Sequence, residues 1–110
     1  MKAKRNFRRY VWKMNEGRRR AVARVLAQVT EQTRAVRMRS RRDPEKFVIV
    51  TRCTYPGKQW RGSFFDQHGP WSHFNAETIA DALRSLCGER VPGIGPSWGH
   101  AGQYVVERVI

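Results

Sequence analysis

A chain of 110 residues has the length of one domain, enough for a modest core without disulfide or metal staples. Forty per cent hydrophobic content, including twelve aromatics, excludes wholesale disorder, and no apolar run approaches the roughly 20 residues of a membrane-spanning helix. The charge is one-sided: residues 1–42 hold fifteen Lys and Arg against Glu16 and Glu31 alone, whereas residues 43–110 balance seven against seven, so the whole net charge of +13 falls in the first region.

In chain order, "FRRYVWKM" places Phe7, Tyr10, Val11 and Met14 at i, i+3, i+4 and i+7, the face of a short helix over 7–14. Asn15 and Gly17 break the pattern. A second helix is expected over about 18–40, with Val22, Val25, Leu26, Val29, Thr33 and Val36 on one stripe and arginines opposite. Together these make a basic helical hairpin. Pro44 ends it, because the residue before proline avoids helical geometry.

"FVIVTRCTY" (47–55) reads as a strand, "YPGK" as a type II turn and "QWRGSFFD" (59–66) as the returning strand. "QHGP" makes another turn, and "WSHF" (71–74) a short third strand. "NAETIADALRSLCG" (75–88) is a helix capped by Asn75, with Ile79, Leu83, Leu86 and Cys87 buried and Gly88 at C′. Residues 88–103 form a long glycine-rich loop, and "YVVERVI" (104–110) closes the chain as a strand. The expected order is α-α-β-β-(β)-α-β: an α+β fold whose basic helical region (1–42) and neutral region (43–110) share one domain, with a small antiparallel sheet and one packed helix.

A one-sided positive field concentrates polyanions. Each phosphate neutralised by Lys or Arg releases counterions, so a binder needs several cations on one surface. The candidates are Arg8, Arg9, Arg18, Arg19, Arg20, Arg24, Arg34, Arg37, Arg41 and Arg42, with Trp12 placed to stack on a base. The helix dipole opposes the cations at the start of the second helix, which makes them harder to explain as helix stabilisers. Valine and alanine on the apolar stripe suit packing against protein better than insertion into lipid. A GC-rich genome also enriches arginine, so its excess over lysine carries little by itself. A mitochondrial transit peptide is the rival reading of residues 1–42, opposed by a lone serine, Ser40.

The stretch "YPGKQWRGSFFDQHGPWSHFNAETIADAL" resembles the Apetala-type DNA-binding domain and the related arm-binding domains of phage tyrosine integrases, over about residues 47–86. The resemblance implies a three-stranded antiparallel sheet backed by one helix, with the sheet entering a major groove. It further implies that Arg52, Arg61, Ser63 and His73 stand at exposed sheet positions.

For catalysis, His68, His73 and His100 lie in or near loops with Asp66 close in sequence, but the H-x4-H spacing matches no familiar zinc pattern. Cys53 and Cys87, with no C-x-x-C pair, read as thiols of a reduced, cytoplasmic chain, a single disulfide remaining open. The expected function is that of a non-enzymatic nucleic-acid-binding protein, DNA or RNA, without cofactor or metal, of the kind a bacterium, phage or plasmid uses as an accessory factor. The rival is a module docking on an acidic protein surface of a larger nucleic-acid-processing machine, with tryptophans as anchors.

Overall fold

The computed structural model describes residues 16, 17, 19–88, 91, 94 and 104–110. The expected helix over 7–14, with Arg8, Arg9 and Trp12, lies outside the described residues, as do Arg18 and most of the 88–103 loop. Helix α1 covers described residues 16–17 and 19–28. It is followed by β1 (Ala35–Ser40), β2 (Phe47–Tyr55), β3 (Lys58–Asp66), β4 (Gly69–Ala76), α2 (Ile79–Leu86) and β5 (Tyr104–Val109). The architecture is mixed α+β, with five antiparallel strands in the order β4-β3-β2-β1-β5.

The largest correction concerns residues 29–40, which are not a continuation of the helix. Thr30 and Thr33 close a turn on each other. The Thr33 hydroxyl accepts from the Thr30 N–H (2.9 Å), and the Thr33 N–H donates to the Thr30 carbonyl (3.1 Å). Short hydroxyl side chains compete in this way with the helical ladder. Beyond the turn, "AVRMRS" alternates with a period of two: Val36, Met38 and Ser40 are buried while Arg37 and Arg39 point the other way. The alternation makes β1 a strand between β2 and β5, so the charge boundary near Arg42 runs through one continuous sheet.

Two smaller corrections follow from β4. The strand extends over Gly69–Ala76, longer than 71–74, and takes Asn75 into the ladder opposite Arg61. The cap of α2 is therefore Thr78, whose hydroxyl accepts from the Asp81 N–H at 3.1 Å. The Pro56–Gly57 turn forms where expected, with Gly57 at φ 75°.

Both helices pack on one face of the sheet. Val22 and Val25 of α1 and Ala82, Leu83 and Leu86 of α2 join Val36, Met38, Val48, Val50, Trp60, Phe64 and Tyr104 in a single core. Val36, Met38, Val48 and Val50 are wholly buried, each contributing about 1.5–3 kcal/mol relative to exposure. The Phe64 ring sits 5.4–5.8 Å from those of Trp71, Phe74 and Tyr104. Cys87 is buried on this side and Cys53 is half-buried; both are free thiols.

Tyr104 carries a pH prediction. Burial, and secondarily the charge of Asp43, push its phenol above the ordinary 10.0. A phenol held protonated in the fold stabilises it fully below the unfolded value of 10.0 and progressively less as pH rises past that value. Tyr104→Phe should therefore flatten the fall of the melting temperature above pH ~10, measurable by circular dichroism.

Candidate nucleic-acid interface

Strand alternation sorts the basic residues onto different surfaces. On α1, the inward positions Val22 and Val25 leave Arg20 and Arg24 exposed on the outer side, with Arg19 nearer the α2 flank. Arg19 and Arg84 border a groove between the two helices floored by Val22, Ala23 and Leu26. Arg41 and Arg42 are exposed in the β1–β2 connection. There the Ser40 hydroxyl accepts from the Arg42 and Asp43 backbone N–H groups, and the Asp43 carboxylate accepts from Glu45 N–H. Arg34 is exposed just before β1.

Among the described residues, no helix covers the opposite face of the sheet. Its side chains fall into cross-strand rows. One row runs Val105, Arg39, Phe47, Phe65. A second runs Arg108, Arg37, Ile49, Ser63, His73, and a third Ala35, Thr51, Arg61, Asn75. Arg61, Ser63 and His73 thus stand on this open face.

Arg52 does not. It points to the helix side, its guanidinium 4.6 Å from the Trp60 ring centroid. Its donors go to the carbonyls of Thr33 (3.1 Å), Thr30 (3.2 Å) and Glu31 (3.1 Å). It is a clamp on the α1–β1 turn. Arg52→Ala should cost about 1.5–3 kcal/mol in urea unfolding, the scale of hydrogen bonds from a charged donor. Arg52→Lys should recover only part, since an ammonium cannot span three carbonyls and lie flat on an indole.

Two open-face arginines are held in a common manner. Arg37 donates through Nε to Glu107 Oε2 at 2.8 Å and lies 4.1 Å from the centroid of the Phe47 ring. Phe47 in turn stacks on Phe65 at 4.8 Å with 4° between planes. Arg61 donates through Nε to Asn75 Oδ1 at 3.0 Å. Both are thus held through Nε, and among the described residues their terminal guanidinium nitrogens make no hydrogen bond to protein, which leaves them as donors for a phosphate. A shallow, open concavity of about 450 Å³ at the β2–β3 hairpin end is lined by Thr51, Cys53, Tyr55 and Arg61 together with Arg52, Thr54 and Pro56, so it reaches around the end of the sheet from the open face.

Composition and charge did not single out Phe47, Ile49, Phe65, Arg39 and Arg108 as neighbours. The usable signal was the period-two alternation of β1 and β2, which puts Arg37, Arg39, Phe47 and Ile49 on one side. No three His, Cys, Asp or Glu side chains converge as a metal site among the described residues. The Asp66 carboxylate accepts the His68 backbone N–H at 2.8 Å, while the His68 ring meets Gln67. No helix among the described residues is long and apolar enough to cross a membrane. Comparison with protein-family models, with curated proteins and with solved structures yields no match to this chain.

Proposed function

We propose that this protein binds nucleic acid and catalyses no reaction, serving as a small accessory factor that grips the phosphate backbone through its arginines. One observation carries the reading. Arg20, Arg24, Arg34, Arg39, Arg41, Arg42 and Arg108 are all exposed, and none forms an ion pair with a described carboxylate. Self-repulsion among uncompensated charges opposes folding, and a polyanion relieves it.

Binding of single-stranded and duplex oligonucleotides across a salt series tests this. Five or more phosphate contacts give a log–log slope of about −3.5 or steeper on single strands. Neutralising two contacts with R20Q/R24Q should make that slope shallower by about 1.4, with the melting temperature nearly unchanged. Removing residues 1–42 is unsuitable, because β1 would leave the middle of the sheet. Absent or salt-insensitive binding by the full chain overturns the proposal.

That outcome would favour docking on an acidic protein surface. The exposed rings of Tyr55 (58 %) and Trp71 (45 %) suit that second reading.

A further inference from the structure

We propose, resting on the nucleic-acid reading above, that the open face of the sheet is a platform for an unpaired nucleic-acid strand. The face combines two surfaces that an unpaired strand needs. Phe47, Ile49, Phe65 and Val105 form a half-buried apolar floor. Around it stand Arg37, Arg39, Arg61 and Arg108, with Glu107 the carboxylate among them. Bases offer apolar faces only when unpaired; a duplex offers phosphates and groove edges.

The dimensions agree. Five strands at about 4.8 Å spacing span about 19 Å, too wide to lie flat in a major groove about 12 Å across. From Phe47 to Cys53 the track runs about 20 Å, the length of a few nucleotides. Arg37 and Arg61 sit two strands and two residues apart in the register, about 12 Å, and so address separate phosphates. The track ends at the shallow depression of the hairpin end, where Thr51, Cys53 and Arg61 meet Arg52, Thr54, Tyr55 and Pro56.

Charge selects this occupant over two others. Residues 1–15 carry six basic residues and no acidic one, so covering the face with that segment brings like charges together. A second copy would oppose the same four arginines to themselves. An unpaired polyanion meets them with opposite charge.

The test uses the full chain with an eight-residue oligothymidine and a duplex of eight base pairs at one salt concentration. The single strand should bind about tenfold or more tightly than the duplex. R37Q/R61Q should weaken single-strand binding about tenfold or more, and Phe65→Leu about fivefold. In the wild-type chain, bound oligothymidine should slow alkylation of Cys53, which needs no substitution and is read directly by mass spectrometry. Duplex binding as tight as single-strand binding, or Cys53 alkylation and the open-face variants indistinguishable from controls, overturns the platform and leaves the general function standing. Absence of binding to both oligonucleotides overturns both.

Discussion

Replacing Met38 with alanine is expected to lower the free energy of unfolding by about 2–5 kcal/mol. Met38 has no exposed surface and sits in β1 between Val48 of β2 and Val106 of β5. Truncation there removes contacts on both sides at once, and a β-sheet held at both flanks has little freedom to collapse into the void. The same substitution separates a strand from a helix over this segment. On a helix through residues 18–40, the stripe of Val22, Val25, Val29, Thr33 and Val36 leaves Met38 off the buried face, and its loss would be nearly neutral. Arg39→Ala, one residue away and exposed, should stay within about 0.5 kcal/mol. Urea unfolding of the two variants gives the comparison. A loss below about 1 kcal/mol for Met38→Ala would exclude β1 as a core strand.

The contrast between residues 18–40 and 47–66 explains how much of the fold is legible in the sequence. Over 47–66, β-branched and aromatic residues alternate on either side of Pro56–Gly57, so local propensity and long-range pairing agree. Over 18–40 they conflict. Arginine and alanine favour helix, and Val36 happens to extend the helical spacing set by Val22, Val25 and Val29. What decides the outcome is the Thr30–Thr33 turn and the pairing of β1 with a strand some seventy residues later, exemplified by Arg37 and Glu107. Asn75 fails as a cap for the same reason: a partner across the sheet, Arg61, claims it. The basic surface was visible as composition, yet its division between α1 and the open face depends on β1 being a strand. A one-residue change of register would send Arg37 and Arg39 inward and Val36 and Met38 out, so burial fixes the side on which the arginines stand.

Gly62→Ala is expected to destabilise the protein by about 1–3 kcal/mol although it adds one carbon, because the site is already filled. Gly62 is buried in β3, between Val50 of β2 and Phe74 of β4, and the Phe74 ring lies where a Cβ would stand. In open space, alanine would gain about 0.5–1 kcal/mol over glycine in a strand through reduced chain entropy. Here the ring must move, and it has limited room, since the Phe64 ring is 5.8 Å away and Phe64 also contacts Trp71 and Tyr104. Overpacking therefore outweighs the entropic gain. The cost should be conditional on Phe74: Phe74→Leu opens the site by itself at some expense, and Gly62→Ala added to it should cost less than in the wild-type background. A double-mutant cycle by urea unfolding should give a coupling of about 0.5–3 kcal/mol in the compensating direction. Additive losses would mean that the Phe74 ring does not occupy the space above Gly62 in solution. Near-neutrality of Gly62→Ala alone would lead to the same conclusion. Because Gly62 and Phe74 project toward the helices, the cycle perturbs the core while leaving the open-face rows of Arg37, Phe47, Phe65 and Arg61 in place.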